Sequence, residues 1–320
     1  MADIKDNILA TLAYYDVLDF PLTAEEVSRY LIRLSSDEDI PKFSHRRQGF
    51  GGQARILEYV EALMKEGKIG KRDGHYYLFG RDYLVPLRSE RLRYWHKKWK
   101  RTLMATRLIS MTPFLRGVFA SGSLALKNTS ELSDLDILLV TSAGRIATAR
   151  FCMTILLDLF GFRRKPTDAV APNLICPNHF VALNHMTIPA QNIYTAQLYA
   201  NLVPVMIRGA NVASQFQNSN SWVFHYIYNW EMLDKPAGFR FRVGPALASI
   251  VEWVLGGTVG DWVENRLFHW QKRRVEHNPL TARSHGRILF SSDEIAFHPD
   301  SPEERFIGPY KEGLVKLGIV

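Results

Sequence analysis

The chain has 320 residues, of which 47% are hydrophobic and 12% aromatic. This composition is enough to bury a core, which excludes a mainly disordered chain, and the length suits two domains better than one. Lys and Arg total 40 against 32 Asp and Glu, a formal charge of +8 that is compatible with a polyanionic partner. Two cysteines, Cys152 and Cys176, are too few for a disulfide scaffold and fit a reducing cytoplasm.

The sequence also bears on membrane association. The first seven residues carry Asp3, Lys5 and Asp6, so no apolar run follows a basic start, and the beginning of the sequence does not resemble a secretory signal. The most apolar later stretch, 246–260, contains Glu252 and is too short to span a bilayer. We therefore expect a cytoplasmic protein without a membrane partner.

Residues 1–82 have the pattern of a small separate module. Three stretches carry apolar residues at helical spacing, and Thr23 and Glu26 form a capping box at the start of the second. Asp73-Gly74 then predicts a hairpin turn between two short strands. Three helices followed by a hairpin resemble a winged helix.

In a winged helix the third helix or the hairpin contacts DNA, and Lys71 and Arg72 in the hairpin suit phosphate contacts. The third predicted helix carries Glu58, Glu61 and Glu66, which would repel phosphate. A module for packing or for protein contact therefore stays open beside DNA binding.

Residues 83–110 are expected to form a basic connecting helix. Eight basic residues and one acidic residue lie between Arg88 and Arg107. Trp95 and Trp99 fall on an apolar face, which indicates packing against the next domain. The cations of such a helix form either a solvated face or the wall of a polynucleotide-binding site. We take Lys97, Lys100 and Arg101 as its nucleic-acid candidates.

Residues 116–141 carry the most informative pattern of the chain. A short apolar strand ends at Gly122-Ser123, and a second apolar strand begins with Asp134 and Asp136. Because side chains alternate along a strand, the two carboxylates point to the same face. Paired carboxylates suit Mg²⁺ chemistry on a triphosphate, and Gly-Ser allows the close approach of phosphate oxygens. The alternative is a glycine turn beside an exposed strand end.

This pattern resembles the signature of the DNA polymerase β-like nucleotidyltransferase superfamily, which has a strand, Gly-Ser, a spacer of about ten residues, Asp-x-Asp and another strand. The spacer here, 124–133, has ten residues. The resemblance covers about residues 112–205 and implies a palm domain, predicted at 111–210. The fold class we expect is α+β, with a winged-helix-like module, a palm with a mixed sheet and a helical C-terminal region.

The resemblance also implies an activity and a site. Asp134 and Asp136 would bind Mg²⁺ or Mn²⁺, Gly122 and Ser123 would bind the triphosphate of an NTP, and a nearby Lys or Arg would offset the charge. The reaction would transfer a nucleoside monophosphate to a hydroxyl of a nucleic-acid or protein acceptor.

The chain departs from the family pattern at the third carboxylate. Active members carry it on a later strand, and the matching candidate strand, 173–183, has no Asp or Glu. Asp168 is the nearest carboxylate and is our third catalytic candidate. Asn178 and His179 are weaker ligand candidates. His179 could instead be a base or, more commonly for such a residue, a structural histidine.

We consider three functional hypotheses, and the missing third carboxylate motivates the second of them. The first is an active nucleotidyltransferase. The second is a catalytically degenerate protein that binds nucleotide or nucleic acid, and the third is a regulator of the toxin–antitoxin kind whose palm modifies a partner protein. The remaining sequence predicts a helix at 194–205 and a mainly helical C-terminal region at 211–320.

Overall fold

The computed structural model describes residues 3–34, 53–165, 168, 170–232, 243–279, 281, 286–298 and 303–319. Over these residues the chain is mixed α/β, with one three-stranded and one six-stranded sheet. The described helices are α1 (Ile4–Val17), α2 (Ala24–Arg29), α3 (Gln53–Lys65), α4 (Leu84–Ile109), α5 (Gly122–Ala125), α6 (Ile146–Leu159), α7 (Ile193–Ala200), α8 (Val212–Ser219), α9 (Val243–Val254), α10 (Thr258–Glu276) and α11 (Glu303–Lys316). The strands are β1 (Leu22–Thr23), β2 (Ile69–Arg72), β3 (His75–Leu78), β4 (Leu115–Ala120), β5 (Leu135–Thr141), β6 (Ile175–Ala182), β7 (Val203–Ile207), β8 (Arg287–Phe290) and β9 (Glu294–His298).

The first unit packs α1, α2 and α3 on an antiparallel sheet of order β1-β3-β2. The capping box of α2 is confirmed, because the Thr23 hydroxyl accepts from the Glu26 amide and the Glu26 carboxylate accepts from the Thr23 amide. The hairpin turn is confirmed as well: Asp73 and Gly74 have φ values of +50° and +76° between β2 and β3. These are the left-handed values that a two-residue hairpin turn requires.

The second sheet has the order β7-β4-β5-β6-β9-β8. Its neighbours are antiparallel except β5 and β6, which are parallel and are connected through α6. Apolar residues of α4 and α6 cover one face of this sheet, and those of α7 and α8 cover the other. Strand β5 is therefore buried on both faces. Its first residues, Leu135 and Asp136, lie where this core ends.

The predicted helix at 194–205 is wrong in its second half. Helix α7 ends at Ala200, and the chain enters β7 at Val203. Pro204 lies in β7, which is an edge strand of the six-stranded sheet. An edge strand tolerates a proline because the missing N–H is not needed by a second neighbour.

The last third of the chain contributes to both units. Strands β8 and β9 extend the six-stranded sheet beside β6, and α11 packs on α1, with the rings of Tyr14 and Phe306 4.5 Å apart. The sequence analysis did not predict this hairpin. Nor did it predict the pairing of β9 with β6 or the contacts of α11 with α1, which join segments more than a hundred residues apart in sequence.

Helix α4 connects the two units. Trp95 and Trp99 stack on each other and pack on the core of the six-stranded sheet, and the Trp95 indole N–H donates to the Leu124 carbonyl at 2.8 Å. The predicted anchoring role of the tryptophans is thus confirmed. Within the described part of the chain, no helix has both the length and the apolar character needed to cross a membrane.

Candidate metal centre

Asp134 and Asp136 lie where β5 begins. The Leu135 amide donates to the Leu174 carbonyl at 2.8 Å, which aligns the start of β5 with the segment that leads into β6. One ligand atom each from Asp134, Asp136 and Cys176 lie within 4.8 Å of one another, a spacing that could hold a metal ion. The structure therefore brings the two predicted carboxylates together and adds a thiol that the sequence analysis had not considered as a ligand.

Gly122 lies directly against this group. It has a φ of +55°, and a Cβ added at this position would be 3.3 Å from Asp136 Oδ2. The Ser121 amide donates to the Asp136 carbonyl at 3.0 Å, which holds the Gly122-Ser123 segment next to the aspartates. Ser123 is partly exposed at the start of the short helix α5. Glycine is required here both for the left-handed backbone and for the approach to the carboxylate.

Strand β6 supplies the groups on the other side of Asp136. Cys176 is the register partner of Asp136 in the parallel pair, and the Asn178 side-chain amide donates to Asp136 Oδ1 at 3.3 Å. Burial and the neighbouring carboxylates raise the pKa of the Cys176 thiol, so without a cation it stays protonated and donates to the carboxylates. The groups that β6 places next to Asp136 are thus a thiol and an amide, and β6 itself has no Asp or Glu.

The negative charge of the aspartate pair is only partly balanced. Arg164 forms an ion pair with Asp134 and is held beside β6 because its amide donates to the Ile175 carbonyl at 2.9 Å. Desolvation, followed by the charge of Asp134, raises the pKa of Asp136 to about 7. A carboxylate with a raised pKa beside a second carboxylate is the electrostatic situation that a divalent cation relieves.

Space for a ligand lies on the Asp134 side of the group. An open cleft of about 280 Å³ is lined by Asp134 and Arg164 together with Ser130, Ser133 and Ala171. The cleft therefore presents one anionic and one cationic side chain to solvent. Arg164 supplies the Lys or Arg that the sequence analysis expected near the site, and its signal was the basic run 163–165 before β6.

Asp168 is not part of the Asp134, Asp136 and Cys176 group. Its carboxylate accepts from the Lys165 amide at 2.8 Å, and its carbonyl accepts from Arg164 Nη2 at 3.4 Å. The contacts of Asp168 thus shape the loop that carries Arg164. A catalytic role for Asp168 stays a prediction without geometric support.

The basic residues of α4 divide into two groups. Lys98 is buried and donates from Nζ to the carbonyls of Glu131 and Ser133 and to the Asn173 side chain, at 2.6–3.1 Å. Burial lowers the pKa of Lys98. Arg101 donates to the Asn173 carbonyl at 2.7 Å, so these two cations hold the loops that precede Asp134 and β6.

The other nucleic-acid candidates lie at the surface. Lys97 and Lys100 are exposed on α4, and Lys71 and Arg72 are exposed on the hairpin of the first unit. Arg72 is 3.8 Å from each of the carboxylates of Asp73 and Asp82. The surface candidates are accessible to a polyanion, whereas the Arg101 guanidinium is engaged in tertiary contacts.

His179 belongs to a separate buried cluster. Its Nε2 lies 3.0 Å from Glu294 Oε1, and its Nδ1 lies 3.3 Å from the Tyr199 hydroxyl. Burial lowers the pKa of His179, so the neutral ring donates from Nε2 to Glu294 and accepts at Nδ1 from Tyr199. Glu294 also forms an ion pair with Arg287. His179 therefore has the structural role that the sequence analysis gave as its commoner alternative.

The donor set of Asp134, Asp136 and Cys176 fits a divalent cation, since two carboxylates are hard oxygen ligands and a thiol is a further ligand once deprotonated. The geometry does not distinguish Mg²⁺ from other divalent ions. Comparison with known proteins adds no identity: no family model, no curated protein and no solved structure matches this chain.

Proposed function

We propose that the protein is a metal-dependent nucleotidyltransferase that transfers a nucleoside monophosphate from an NTP to a hydroxyl acceptor, with Mg²⁺ or Mn²⁺ as the cofactor. The observation that carries the proposal is the convergence of Asp134, Asp136 and the Gly122 backbone at one end of β5. Two carboxylates and a glycine that permits close approach are the minimal elements for a metal-bound triphosphate.

In this proposal each group has a defined task. Asp134 and Asp136 hold the cation, and the backbone and hydroxyl of Gly122-Ser123 contact the triphosphate. Arg164, which lies in the cleft beside Asp134, neutralises phosphate charge. When bound, the cation supplies the positive charge that offsets the charge developing on the departing pyrophosphate.

The same proposal assigns a fold to each of the two units. We propose that the six-stranded sheet with its helices is a polymerase β-like palm and that the first unit, 3–78, is a winged-helix-like module. The antiparallel order β1-β3-β2 with three helices supports the second assignment. The exposed Lys71, Arg72, Lys97 and Lys100 are then the surface offered to a nucleic-acid acceptor.

A second candidate function is nucleotide binding without transfer. The specific observation that favours it is the pair Cys176 and Asn178 at the strand position where active members of the family carry a third carboxylate. Neither side chain accepts a proton from a hydroxyl at neutral pH, because the raised pKa keeps the Cys176 thiol protonated and the Asn178 amide is not basic.

The two functions are separated by an activity assay with labelled NTPs, Mg²⁺ or Mn²⁺, and RNA or protein acceptors. We expect transfer that falls at least about 100-fold in Asp134→Asn/Asp136→Asn, because both metal ligands are lost. Glu131→Gln, at an exposed acidic position near the cleft, is the matched control. Transfer that survives the double substitution would exclude this site as the active site.

Calorimetry with NTP and Mg²⁺ tests the second candidate function, nucleotide binding without transfer. NTP binding that depends on Asp134 and Asp136, without any transfer to any acceptor, would assign the protein to nucleotide binding. Absence of both binding and transfer would reject both functions. Asp168→Asn is included in the same assays, and transfer at the parent rate would exclude Asp168 as the catalytic base.

A further inference from the structure

Cys176 faces a pair of carboxylates. Its sulfur and one carboxylate oxygen each from Asp134 and Asp136 lie within 4.8 Å of one another. Ile175, the preceding residue of β6, lies in the core of the six-stranded sheet and is 1% exposed. A cysteine that only fills space in a core behaves as a small apolar residue and has apolar neighbours, as Ile175 does. The surroundings of Cys176 are instead those of a ligand.

The pairing of β5 with β6 is irregular at this group. Cys176 pairs with Asp136. Two residues further along β5, Leu138 pairs with His179, which is three residues further along β6. Strand β6 therefore has one residue more than β5 over this stretch, which is a β-bulge, and bulges are frequent next to active sites because they re-aim side chains. Asn178 lies in the bulge and donates to Asp136 Oδ1 at 3.3 Å, so β6 departs from regular pairing at the residues that surround Asp136.

Two carboxylates and one thiol are a donor set for a thiophilic divalent cation. Mg²⁺ takes oxygen ligands in octahedral geometry and keeps several waters, so it gains nothing from a thiol. Zn²⁺ binds thiolate and carboxylate ligands together, and a Zn²⁺ ion with three protein ligands leaves its fourth position to water or substrate. Its bonds of about 2.3 Å to sulfur and about 2.0–2.2 Å to oxygen place two ligand atoms of a tetrahedral ion about 3.5 Å apart. Side-chain rotations are enough to bring the three ligand atoms to that spacing.

The Asp134 side of the group is open to solvent. Asp134 and Arg164 both line the open cleft of about 280 Å³ and form an ion pair with each other. A cation that reaches the carboxylates through this cleft takes over the charge balance that Arg164 provides, and the guanidinium has the volume of the cleft to turn into. The cleft also gives water or a substrate oxygen access to the fourth position of the ion.

We propose that Asp134, Asp136 and Cys176 together bind Zn²⁺ or another thiophilic divalent cation, in competition with Mg²⁺. On binding, the Cys176 S–H bond breaks, the proton passes to solvent and the sulfur bonds to the cation as a thiolate, since a coordinating thiol is deprotonated outright. Zn²⁺ in this position takes the place of the Mg²⁺ or Mn²⁺ that the proposed transfer uses. The proposal rests on the aspartate site of the proposed function, but not on nucleotide transfer itself.

The test is a titration of the full chain, stripped of metal with EDTA and dialysed, with Co²⁺ as a spectroscopic substitute for Zn²⁺. A thiolate bound to Co²⁺ gives a sulfur-to-metal charge-transfer band in the near ultraviolet, which carboxylates alone do not give. Among the described residues, no second group of three His, Cys, Asp or Glu ligand atoms has this spacing. We therefore expect the band to saturate at one Co²⁺ per chain and to disappear when Zn²⁺ is added.

The two cysteines of the chain provide the matched variants. Cys152 lies on α6 and outside the ligand group, so Cys152→Ser should keep the band, and Cys176 is then the only thiol that can produce it. Cys176→Ser should lose the band, because a hydroxyl is not a soft ligand. Circular dichroism of both variants should match that of the parent chain, and the band of Cys152→Ser tests the assignment even if Cys176→Ser does not fold.

Zn²⁺ affinity, measured by competition with a chromophoric chelator, should fall at least about 10-fold in Cys176→Ser, since loss of an outer-shell partner alone costs about 10–100-fold. Mg²⁺ affinity should stay nearly unchanged in the same variant. Absence of the band in the parent chain, or a band that survives Cys176→Ser, would overturn the proposal. Mg²⁺-dependent transfer without the band would overturn it and leave the proposed function standing, whereas the band without transfer would support it and reject the transfer.

Discussion

Two polar clusters lie next to each other on β6 and differ in how their charges are balanced. On one side of the strand, Cys176 and Asn178 face Asp136, whose neighbour Asp134 forms an ion pair with Arg164. On the other side, His179 and Arg287 both contact Glu294, and the Tyr199 hydroxyl completes the cluster. The first cluster opens to a cleft, and the second is buried.

The difference separates a binding site from a structural network. In the His179 cluster one carboxylate meets one guanidinium and every named polar group has a partner, so nothing further is needed for stability. In the aspartate cluster two carboxylates share one guanidinium, and the pKa of Asp136 is raised. The charge that is missing there is the charge that a ligand cation would bring.

The largest expected effect on stability comes from removal of Glu294 from the buried His179 cluster. Glu294→Ala removes the partner of both Arg287 and His179 and should lower the free energy of unfolding by about 3 kcal/mol or more, as for other buried pairs that lose one member. Urea denaturation followed by circular dichroism measures it. Ser292→Ala, at an exposed position two residues away, is the control. A loss below 1 kcal/mol for Glu294→Ala would show that the network contributes little.

The aspartate cluster should instead respond to cations. Mg²⁺ or Mn²⁺ at about 100 times its dissociation constant should raise the free energy of unfolding by about 2.7 kcal/mol, because only the folded state binds it. EDTA should reverse the effect, and Asp134→Asn/Asp136→Asn should abolish it. A stabilisation that persists in the double variant would place the cation elsewhere.

Removal of one carboxylate should change the free energy of unfolding in opposite directions in the two clusters. The folded-state pKa of Asp136, about 7, lies above its unfolded value of about 3.9, so the folded state holds the proton longer and stability declines as pH rises from about 4 to 7. In EDTA at pH 8, Asp136→Asn should therefore stabilise the protein by more than about 1 kcal/mol. At pH 4 the gain should vanish. Denaturant titrations at both pH values test this, and a destabilised variant at pH 8 contradicts it.

The histidines should produce the reverse pH dependence. Burial lowers the pKa of His298 to about 3 and that of His179 in the same direction. The unfolded chain binds these protons first, near pH 6.5, so stability is lost as pH falls below that value by up to about 1.4 kcal/mol per pH unit for each histidine. His298→Asn should reduce this slope, measured between pH 6.5 and 5. An unchanged slope would mean that His298 is protonated in the folded protein.

The smallest effect concerns the cation that already pairs with Asp134. Arg164→Gln removes a competitor for the carboxylate and should tighten binding of the metal alone by a few-fold, about 1 kcal/mol or less. The same change should weaken NTP binding in the presence of metal, because a phosphate partner is lost. Calorimetry with Mn²⁺ alone and with Mn²⁺ plus NTP measures both. Equal shifts of both affinities would show that Arg164 does not contact phosphate.

Local patterns in the sequence determined the first unit and the start of the candidate site. The capping box at Thr23, the Asp73-Gly74 turn and the alternation that aligns Asp134 with Asp136 each depend on residues a few positions apart. Such features follow from backbone geometry and hydrogen bonding within one element, and they are therefore visible before the fold is known.

Only the tertiary structure decided which side chains contact the residues of the candidate site and His179. Cys176 and Asn178 reach Asp136 through the parallel pairing of β5 and β6, Glu294 meets His179 across 115 residues, and Lys98 holds a loop 33–35 residues away. These contacts depend on strand order and burial, for which the chain carries no periodic signal. The sequence alone therefore determined the carboxylate pair, and the packing of β6, α4 and β9 decided its third neighbour, its counter-charge and the structural role of His179.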